Sequence, residues 1–297
     1  MYKIMMFTGG VYKFSELKER IHDIGGFILQ EMVMQTETMM HLAFPEEEER
    51  IIRDKAKETG GKLKELPLAG AEIMVVVPSL GKHHAVDPMC DIAEFLRRKG
   101  AITNMMGLAR GVGKRIAQIT AREKEIIEEC DAAVFVFGDF KDCLEVKSKI
   151  CESLDVPYII TGGEPEVNIE HYVGNIGRKT ARMRHKEEID MLELLTEKIE
   201  LLINDRRREL DEDPLATSPL FMKEILDLVL PPKAGEEFST IMQLEGLRVK
   251  IEAGDEEKLK NVAIGKRKLS DICEIKKSEY DGYILKILPE AVTGNVF

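Results

Sequence analysis

Four short, continuously apolar segments lie in the middle of this chain, each separated from the next by a stretch long enough for a helix. They read AEIMVVVPSL, GAITNMMGLA, CDAAVFVFGD and VPYIITGG. Apolar segments without polar alternation are typical of strands covered on both faces, which occur in parallel sheets with helices on either side. The sequence therefore predicts an α/β fold, with a Rossmann-like or flavodoxin-like parallel-sheet domain over residues 71–172.

The loops that follow these four strands are predicted to lie at one edge of the sheet. Their sequences are PSLGKHHAVDP, GLARGVGK, GDFKDC and TGGEPE. In open α/β sheets, ligands bind outside the carboxyl ends of the strands. Four loops that are scattered in the sequence thus become one candidate site.

The regions on either side of this domain differ from it in pattern. Residues 1–70 alternate strand-like and helix-like segments in the order βαββαβ, which predicts a ferredoxin-like module. We expect a scaffold there rather than a ligand-sensing domain, because this region contains no cluster of residue types that commonly catalyse reactions or bind ligands. Residues 173–297 begin with a long helical stretch, with an apolar stripe of Leu195, Ile199 and Leu202, and continue as a small α+β region.

The charge and the cysteine count exclude several classes of protein. A net charge of −11 over 297 residues argues against a generic binder of nucleic acid or of anionic membranes. No apolar run approaches the ~20 residues that cross a bilayer, and the start of the chain lacks the pattern of a signal peptide. We therefore expect a cytoplasmic protein, and the odd number of cysteines, 5, agrees with a compartment where disulfides do not form.

The loop GLARGVGKR, from Gly107 to Arg115, is similar to a phosphate-binding loop but fails its pattern. Five residues separate Gly107 from Gly113, where a P-loop has four, and Arg115 stands where the hydroxyl residue should be. The dinucleotide fingerprint fails as well. An anion site at a helix N-terminus is still predicted, with a tight packing turn as an equal alternative. The candidate residues are Gly107, Arg110, Gly111, Gly113 and Lys114.

Three of the five cysteines fall in CDAAVFVFGDFKDCLEVKSKIC, but they do not form one site. Cys130 and Cys143 flank a strand and so lie more than about 20 Å apart. Cys143 and Cys151 are expected on one helix, separated by ~12 Å of rise. We expect Cys130, Cys151 and Cys273 to be buried.

Cys143 and Cys90 occupy matching positions, each in the first turns of a helix that follows a strand. The helix N-terminus lowers the pKa of a thiol there, and His83 and His84 lie on the loop before Cys90. Thiolates and imidazoles are ligands for soft metals and iron–sulfur clusters. Because there is no CxxC motif, a cluster would need further ligands from a partner, or would have to be an unusual cluster that needs few. Burial of both thiols remains the alternative.

A basic stretch follows the last loop. Arg178, Arg182 and Lys186 are spaced to share one helical face. This face is a candidate to receive an anionic cluster, a cofactor carboxylate or an acidic partner, and a solvated surface is equally compatible with the spacing.

Three of these segments resemble the methanogenesis marker protein 7 family of methane-producing archaea. They read GGVYKFSELKERIHDIGGFILQE, VVVPSLGKHHAVDPMCDIAEFLRRKGAITNMMGLARGVGKRIAQIT and CDAAVFVFGDFKDCLEVK. The resemblance implies a non-ATPase subunit of the assembly that reductively activates methyl-coenzyme M reductase, bringing its nickel tetrapyrrole from Ni(II) to Ni(I).

The resemblance also implies a cofactor and partners. The cofactor is an iron–sulfur cluster, of a complex kind and shared between subunits, with Cys90 and Cys143 as first candidates for its ligands and His83 and His84 next. The partners are other methanogenesis marker proteins, an ATP-binding activation subunit and methyl-coenzyme M reductase, without nucleic acid or membrane. The rival hypotheses are an enzyme that binds a nucleotide or anionic cofactor in the same loops, and a purely structural interaction module.

Overall fold

The computed structural model describes most of the chain. The described residues are 2–10, 14–33, 36–78, 86–108, 119–138, 141–176, 185–230, 232, 239–251, 254–294 and 296. The chain divides into two compact units, Met1–Ala69 and Gly70–Phe297. The predicted division of the second unit near residue 173 stays a prediction. Across the described ranges, no helix combines the length and the apolar character that a membrane span requires.

The first unit has the predicted ferredoxin-like βαββαβ order. Its elements are β1 (Tyr2–Gly9), α1 (Ser15–Asp23), β2 (Phe27–Val33), β3 (Thr38–Pro45), α2 (Glu49–Glu58) and β4 (Lys62–Glu65), with a 3₁₀ turn at Glu46–Glu48. The strands pair antiparallel in the order β2-β3-β1-β4. Alternate residues of β1, such as Met5 and Phe7, are buried against Leu17 and Ile21 of α1, so the two-residue period of the strand meets the apolar stripe of the helix.

The second unit begins with the predicted parallel sheet. Its elements are β5 (Glu72–Val77), α3 (Val86–Arg98), β6 (Ile102–Gly107), α4 (Ala121–Glu128), β7 (Ala132–Val136), α5 (Lys141–Lys147), a 3₁₀ segment (Ser148–Ser153), β8 (Tyr158–Thr161), β9 (Tyr172–Val173) and α6 (His185–Glu212). All neighbouring strands are parallel, in the order β6-β5-β7-β8-β9. In chain order this is 2-1-3-4-5, the flavodoxin-like arrangement.

Helices cover this sheet on both faces, which explains the uninterrupted apolar strands. On one face, Ile127 of α4 and Leu144 of α5 pack with Phe135 and Phe137. α3 packs on β5 and β6, and α6 packs on β8, β9 and α3. In the predicted apolar stripe of α6, Leu195 and Ile199 are buried and Leu202 is half-buried.

The remainder of the second unit is the predicted small α+β region. Its elements are α7 (Pro219–Val229), β10 (Thr240–Met242), β11 (Gly246–Val249), α8 (Glu256–Lys260), β12 (Ala263–Ile264), β13 (Arg267–Lys268), α9 (Leu269–Ile272), β14 (Cys273–Lys277), β15 (Tyr283–Ile287) and α10 (Glu290–Thr293). An antiparallel sheet has the order β10-β11-β15-β14, and β12 pairs with β13. On α7, Asp227 accepts hydrogen bonds from Ser239 Oγ (2.9 Å) and Thr240 Oγ1 (2.8 Å), which fixes the start of β10 against the helix.

A buried arginine joins this antiparallel sheet to the parallel one. The side chain of Arg248, from β11, is fully buried, and its Nε donates to both carboxylate oxygens of Glu72 at 2.9 and 3.2 Å. Its Nη1 donates to the carboxylate of Glu129 at 3.0 Å. Glu72 is the first residue of β5 and Glu129 follows α4, so Arg248 is anchored at the amino edge of the parallel sheet.

Further hydrogen bonds surround the contact of Arg248 with Glu72 and Glu129. Gln243 Nε2 donates to the backbone oxygen of Glu129 (2.6 Å), and Ser278 Oγ donates to the Glu129 carboxylate (2.6 Å). The backbone N–H of Leu244 donates to Asp131 Oδ1 at 3.1 Å. Burial raises the pKa of Asp131 to about 7. Gln243, Leu244 and Ser278 lie in turns of the antiparallel sheet. Their hydrogen bonds therefore hold these turns against the amino edge of the parallel sheet.

We expect Arg248→Leu to lower the free energy of unfolding by roughly 3–5 kcal/mol, because it leaves the buried Glu72 carboxylate without its cation. Urea unfolding of the intact chain, followed by circular dichroism, measures this loss. Arg208→Ala is the matched control, since Arg208 forms an exposed pair with Asp205 and exposed pairs contribute less than about 1 kcal/mol. Equal losses in the two variants would contradict the anchoring role of Arg248.

Candidate functional site

The order of the parallel strands places a crevice at the carboxyl ends of β5 and β7. These strands are direct neighbours, with Val75 opposite Val134. The chain leaves β5 toward β6 on one side and leaves β7 toward β8 on the other. Because such crossovers are right-handed, α3 and α5 lie on opposite faces of the sheet, and the loops that lead to them diverge. Ligands of doubly wound folds bind at this switch point.

The two candidate thiols lie on the two helices that diverge there. Cys90 is the fifth residue of α3 and is exposed. Cys143 is the third residue of α5, and only its place in the helix is described. The structure therefore places the two predicted ligands on helices that follow adjacent strands, one on each face of the sheet.

Most other predicted site residues lie outside the described part of the chain, and their roles stay predictions. They are His83, His84, Arg110, Gly111, Gly113, Lys114, Arg178 and Arg182. Gly107 is described: it is the last residue of β6, opposite Val77, and so lies at the carboxyl edge as predicted. Lys186 is exposed in the first turn of α6.

The neighbouring loops after β7 and β8 approach each other closely at this edge. A Cβ added to Gly162 would lie 2.6 Å from the backbone oxygen of Gly138, so this position requires glycine. Gly138 itself has a φ of +78°, in the left-handed region. Its oxygen accepts a hydrogen bond from the N–H of Gly163 at 3.0 Å. This close approach fixes the floor of the crevice beside α5.

Thr161, at the carboxyl end of β8, was not among the residues singled out from the sequence. Its side chain is fully buried, and its Oγ1 has no hydrogen-bond partner within the described structure. Buried hydroxyl groups are nearly always paired, so this one is a candidate contact for a bound polar group. The available signal was the threonine at the end of the apolar strand YIIT.

The remaining described cysteines are buried, as predicted. Cys130, Cys151 and Cys273 are each at most 5% exposed. Burial raises the pKa of the Cys273 thiol to about 12 and raises the pKa of Cys130 and Cys151 as well. These thiols are protonated and inaccessible, which is unsuitable for metal binding. One detail was wrong: Cys151 does not continue the helix of Cys143, because α5 ends at Lys147 and tightens into a 3₁₀ segment.

Cys90 is the described cysteine whose exposure fits a metal ligand. Among the described residues, no three His, Cys, Asp or Glu side chains converge as a metal site. A cluster bound at Cys90 would take its other ligands from Cys143, from the undescribed loops or from another chain.

Comparisons with known proteins give a family. The family model described as methyl-coenzyme M reductase operon protein C matches residues 2–262. An uncharacterized protein of Methanocaldococcus jannaschii is 46% identical over 301 residues, covering 98% of this chain and 95% of that protein. The expected resemblance to a protein family of methane-producing archaea is confirmed by these two matches.

One solved structure is a more distant neighbour. It is a formyltetrahydrofolate deformylase from Pseudomonas putida KT2440, with a TM-score of 0.24 and 11% identity. The match covers 57% of this chain and 52% of that chain, so this protein spans about half the length of that structure.

We expect thiol alkylation of the native, metal-free chain to label Cys90 at least about a hundred times faster than Cys130, Cys151 or Cys273, because only exposed thiolates react readily. Peptide mass spectrometry after timed labelling measures each rate. Labelling in denaturant is the control and should make the rates similar. Comparable native rates would contradict the division into one exposed and three buried thiols.

Proposed function

The chain belongs to the methyl-coenzyme M reductase operon protein C family, and on this premise we propose that it is a non-ATPase subunit of the assembly that reductively activates methyl-coenzyme M reductase. Its part is to hold or frame an iron–sulfur cluster at the carboxyl edge of the parallel sheet. There the cluster serves the reduction of the nickel tetrapyrrole from Ni(II) to Ni(I). The subunit thus acts in electron transfer and as a scaffold, without hydrolysing ATP.

The observation that carries this proposal is the exposed thiol of Cys90 beside the switch point. Of the four cysteines with described side chains, the other three are buried. Cys143 is the third residue of α5, the helix that follows the adjacent strand β7 at the same edge of the sheet. Cysteine thiolates are the usual protein ligands of iron–sulfur clusters. Two cysteines on the helices that follow the adjacent strands β5 and β7 therefore support an iron–sulfur role.

The chain's own residues have distinct roles in this site. Cys90 and Cys143 would hold the cluster through their thiolate sulfurs. The Thr161 hydroxyl, which is buried and has no hydrogen-bond partner in the described structure, is a candidate donor to the bound group, and hydrogen bonds to cluster sulfur tune reduction potentials. When bound, the cluster supplies one-electron transfer at low potential. His83 and His84 are further candidate ligands, on the loop between β5 and α3.

The shortage of ligands in this chain supports a shared cluster. The sequence has no CxxC pair, and Cys90 and Cys143 together are too few for an ordinary four-thiolate site. The missing ligands come from other methanogenesis marker proteins in the assembly. The departure of the loop after Gly107 from the P-loop pattern agrees with a subunit that does not itself hydrolyse ATP. Arg178 and Arg182, which the sequence predicts to share one helical face, are further candidates to contact the anionic cluster.

The test is iron and sulfide analysis of the anaerobically purified complex that contains this subunit. We expect Cys90→Ala and Cys143→Ala each to lose at least about half of the iron and most of the activation of the reductase, since each removes a thiolate ligand. Cys151→Ala is the matched control, because it removes a buried thiol by the same substitution and should retain the iron. Full iron content and activation in both ligand variants would exclude these cysteines as ligands.

The flavodoxin-like order also favours a second candidate, an enzyme that binds a nucleotide or another anionic cofactor at the same edge. In that case Gly107, Gly113 and Lys114 would contact phosphate. Calorimetric titration of the chain with ATP and with flavin mononucleotide separates the two candidates. If the iron–sulfur role is right, neither titration gives a saturable heat at micromolar protein. Saturable binding that Lys114→Ala weakens more than about tenfold would favour the enzyme.

A further inference from the structure

The edge strand β6 differs from the other strand edges of this protein. It has six residues, Ile102–Gly107, and on its outer side it has no partner strand in the described structure. Its sequence, ITNMMG, contains no charged residue and no proline. Ile102 is 42% exposed and Met105 is 44% exposed.

Every other edge strand among the described residues has a feature that discourages pairing with another chain. β9, β12 and β13 have two residues each, and β10 has three. β2 carries a bulge between Ile28 and Gln30. β4 and β14 are rich in charge, with Lys62, Lys64, Glu65, Glu274, Lys276 and Lys277. Short length, bulges and charges are the ordinary protections of sheet edges.

We propose that β6 pairs antiparallel with β6 of a second copy of this chain, which joins the two five-stranded sheets into one of ten strands. This inference is independent of the proposed function. An exposed strand edge presents a row of unpaired backbone N–H and C=O groups, and another strand satisfies them. A two-fold symmetric contact uses the same patch on both copies, and it is the commonest form of protein self-association.

The pleat of the strand fixes the register of this pairing. Residues opposite each other in an antiparallel pair project from the same face, and the two-fold axis relates equivalent faces of the copies. Residues of like parity therefore meet. A register centred on Met105 places its exposed side chain against Met105 of the second copy and sets Thr103 opposite Gly107.

The absence of charge on β6 favours a second copy as the occupant. Each chain carries a net charge of −11, so two copies repel over most of their surfaces. Like charges directly opposite each other destabilise a pair of strands. Because β6 has no charged residues, two copies can pair there without this cost. We therefore expect dimerisation to strengthen as salt screens the long-range repulsion.

Sedimentation velocity of the full chain at increasing concentration and salt tests the proposal. The wild-type chain should form dimers at micromolar concentration. Met105→Lys should raise the dimer dissociation constant roughly tenfold or more, because it places two cations opposite each other and removes apolar contact. Ile102→Lys is a second variant at the same edge. Leu201→Lys, at a 64% exposed position of α6, is the matched control and should dimerise as the wild type does.

Circular dichroism of each variant shows whether it is folded, and both edge positions are exposed enough to accept lysine. A wild-type chain that remains monomeric throughout the concentration and salt series overturns the proposal. So does a dimer that folded Met105→Lys and Ile102→Lys variants leave intact. In a third outcome, the wild-type chain is monomeric and the backbone of β6 is protected from hydrogen exchange only in the larger assembly. That result would show that β6 pairs with a different subunit and not with a second copy.

Discussion

The buried contact of Arg248 with Glu72 and Glu129 is the constraint on which the second unit depends. A guanidinium taken fully out of water is tolerated only where carboxylates and hydrogen bonds replace its hydration. Here one carboxylate comes from the start of β5 and the other from the end of α4, while the arginine belongs to β11. The contact therefore requires the antiparallel sheet to meet the parallel sheet in one orientation. It covers the amino edge of the parallel sheet at the start of β5 and the end of α4.

The same geometry gives cysteines at the two ends of the parallel sheet opposite properties. Cys130 lies at the amino edge, next to Asp131, where burial and the nearby Glu72 carboxylate raise the pKa of its thiol. Cys90 lies on α3, beyond the carboxyl end of β5, and is exposed to solvent. A cysteine's place along the strand direction, rather than its neighbours in sequence, thus separates structural thiols from candidate ligands. This is why the cysteine-rich stretch between residues 130 and 151 is not one site.

The sequence predicts those parts of the fold that rest on local periodicity. Uninterrupted apolar segments predict the parallel strands, and the alternation of strands and helices predicts the first unit. The contact of Glu72 with Arg248 has no comparable signal, because the partners are 176 positions apart. β9 has two residues, too few for a recognisable pattern in the sequence. Thr161 becomes a candidate ligand contact only because the structure shows that its hydroxyl is buried and has no hydrogen-bond partner among the described residues. For the candidate site, the sequence indicates the carboxyl edge of the parallel sheet and the candidate cysteine, Cys90. The switch point between β5 and β7 follows only from the order of the strands in the structure.

The proposed pairing of β6 and the proposed cluster site are compatible because of the direction of the strands. β6 ends at Gly107, at the carboxyl edge of its own sheet. In an antiparallel pair, the second copy's carboxyl edge points the opposite way. The crevices beside the two Cys90 residues then lie at opposite ends of the joined sheet, and neither copy covers the other's site. A dimer built on β6 would therefore leave both of these edges free for other subunits, and a proposed cluster shared between chains would take its further ligands from a chain other than the second copy.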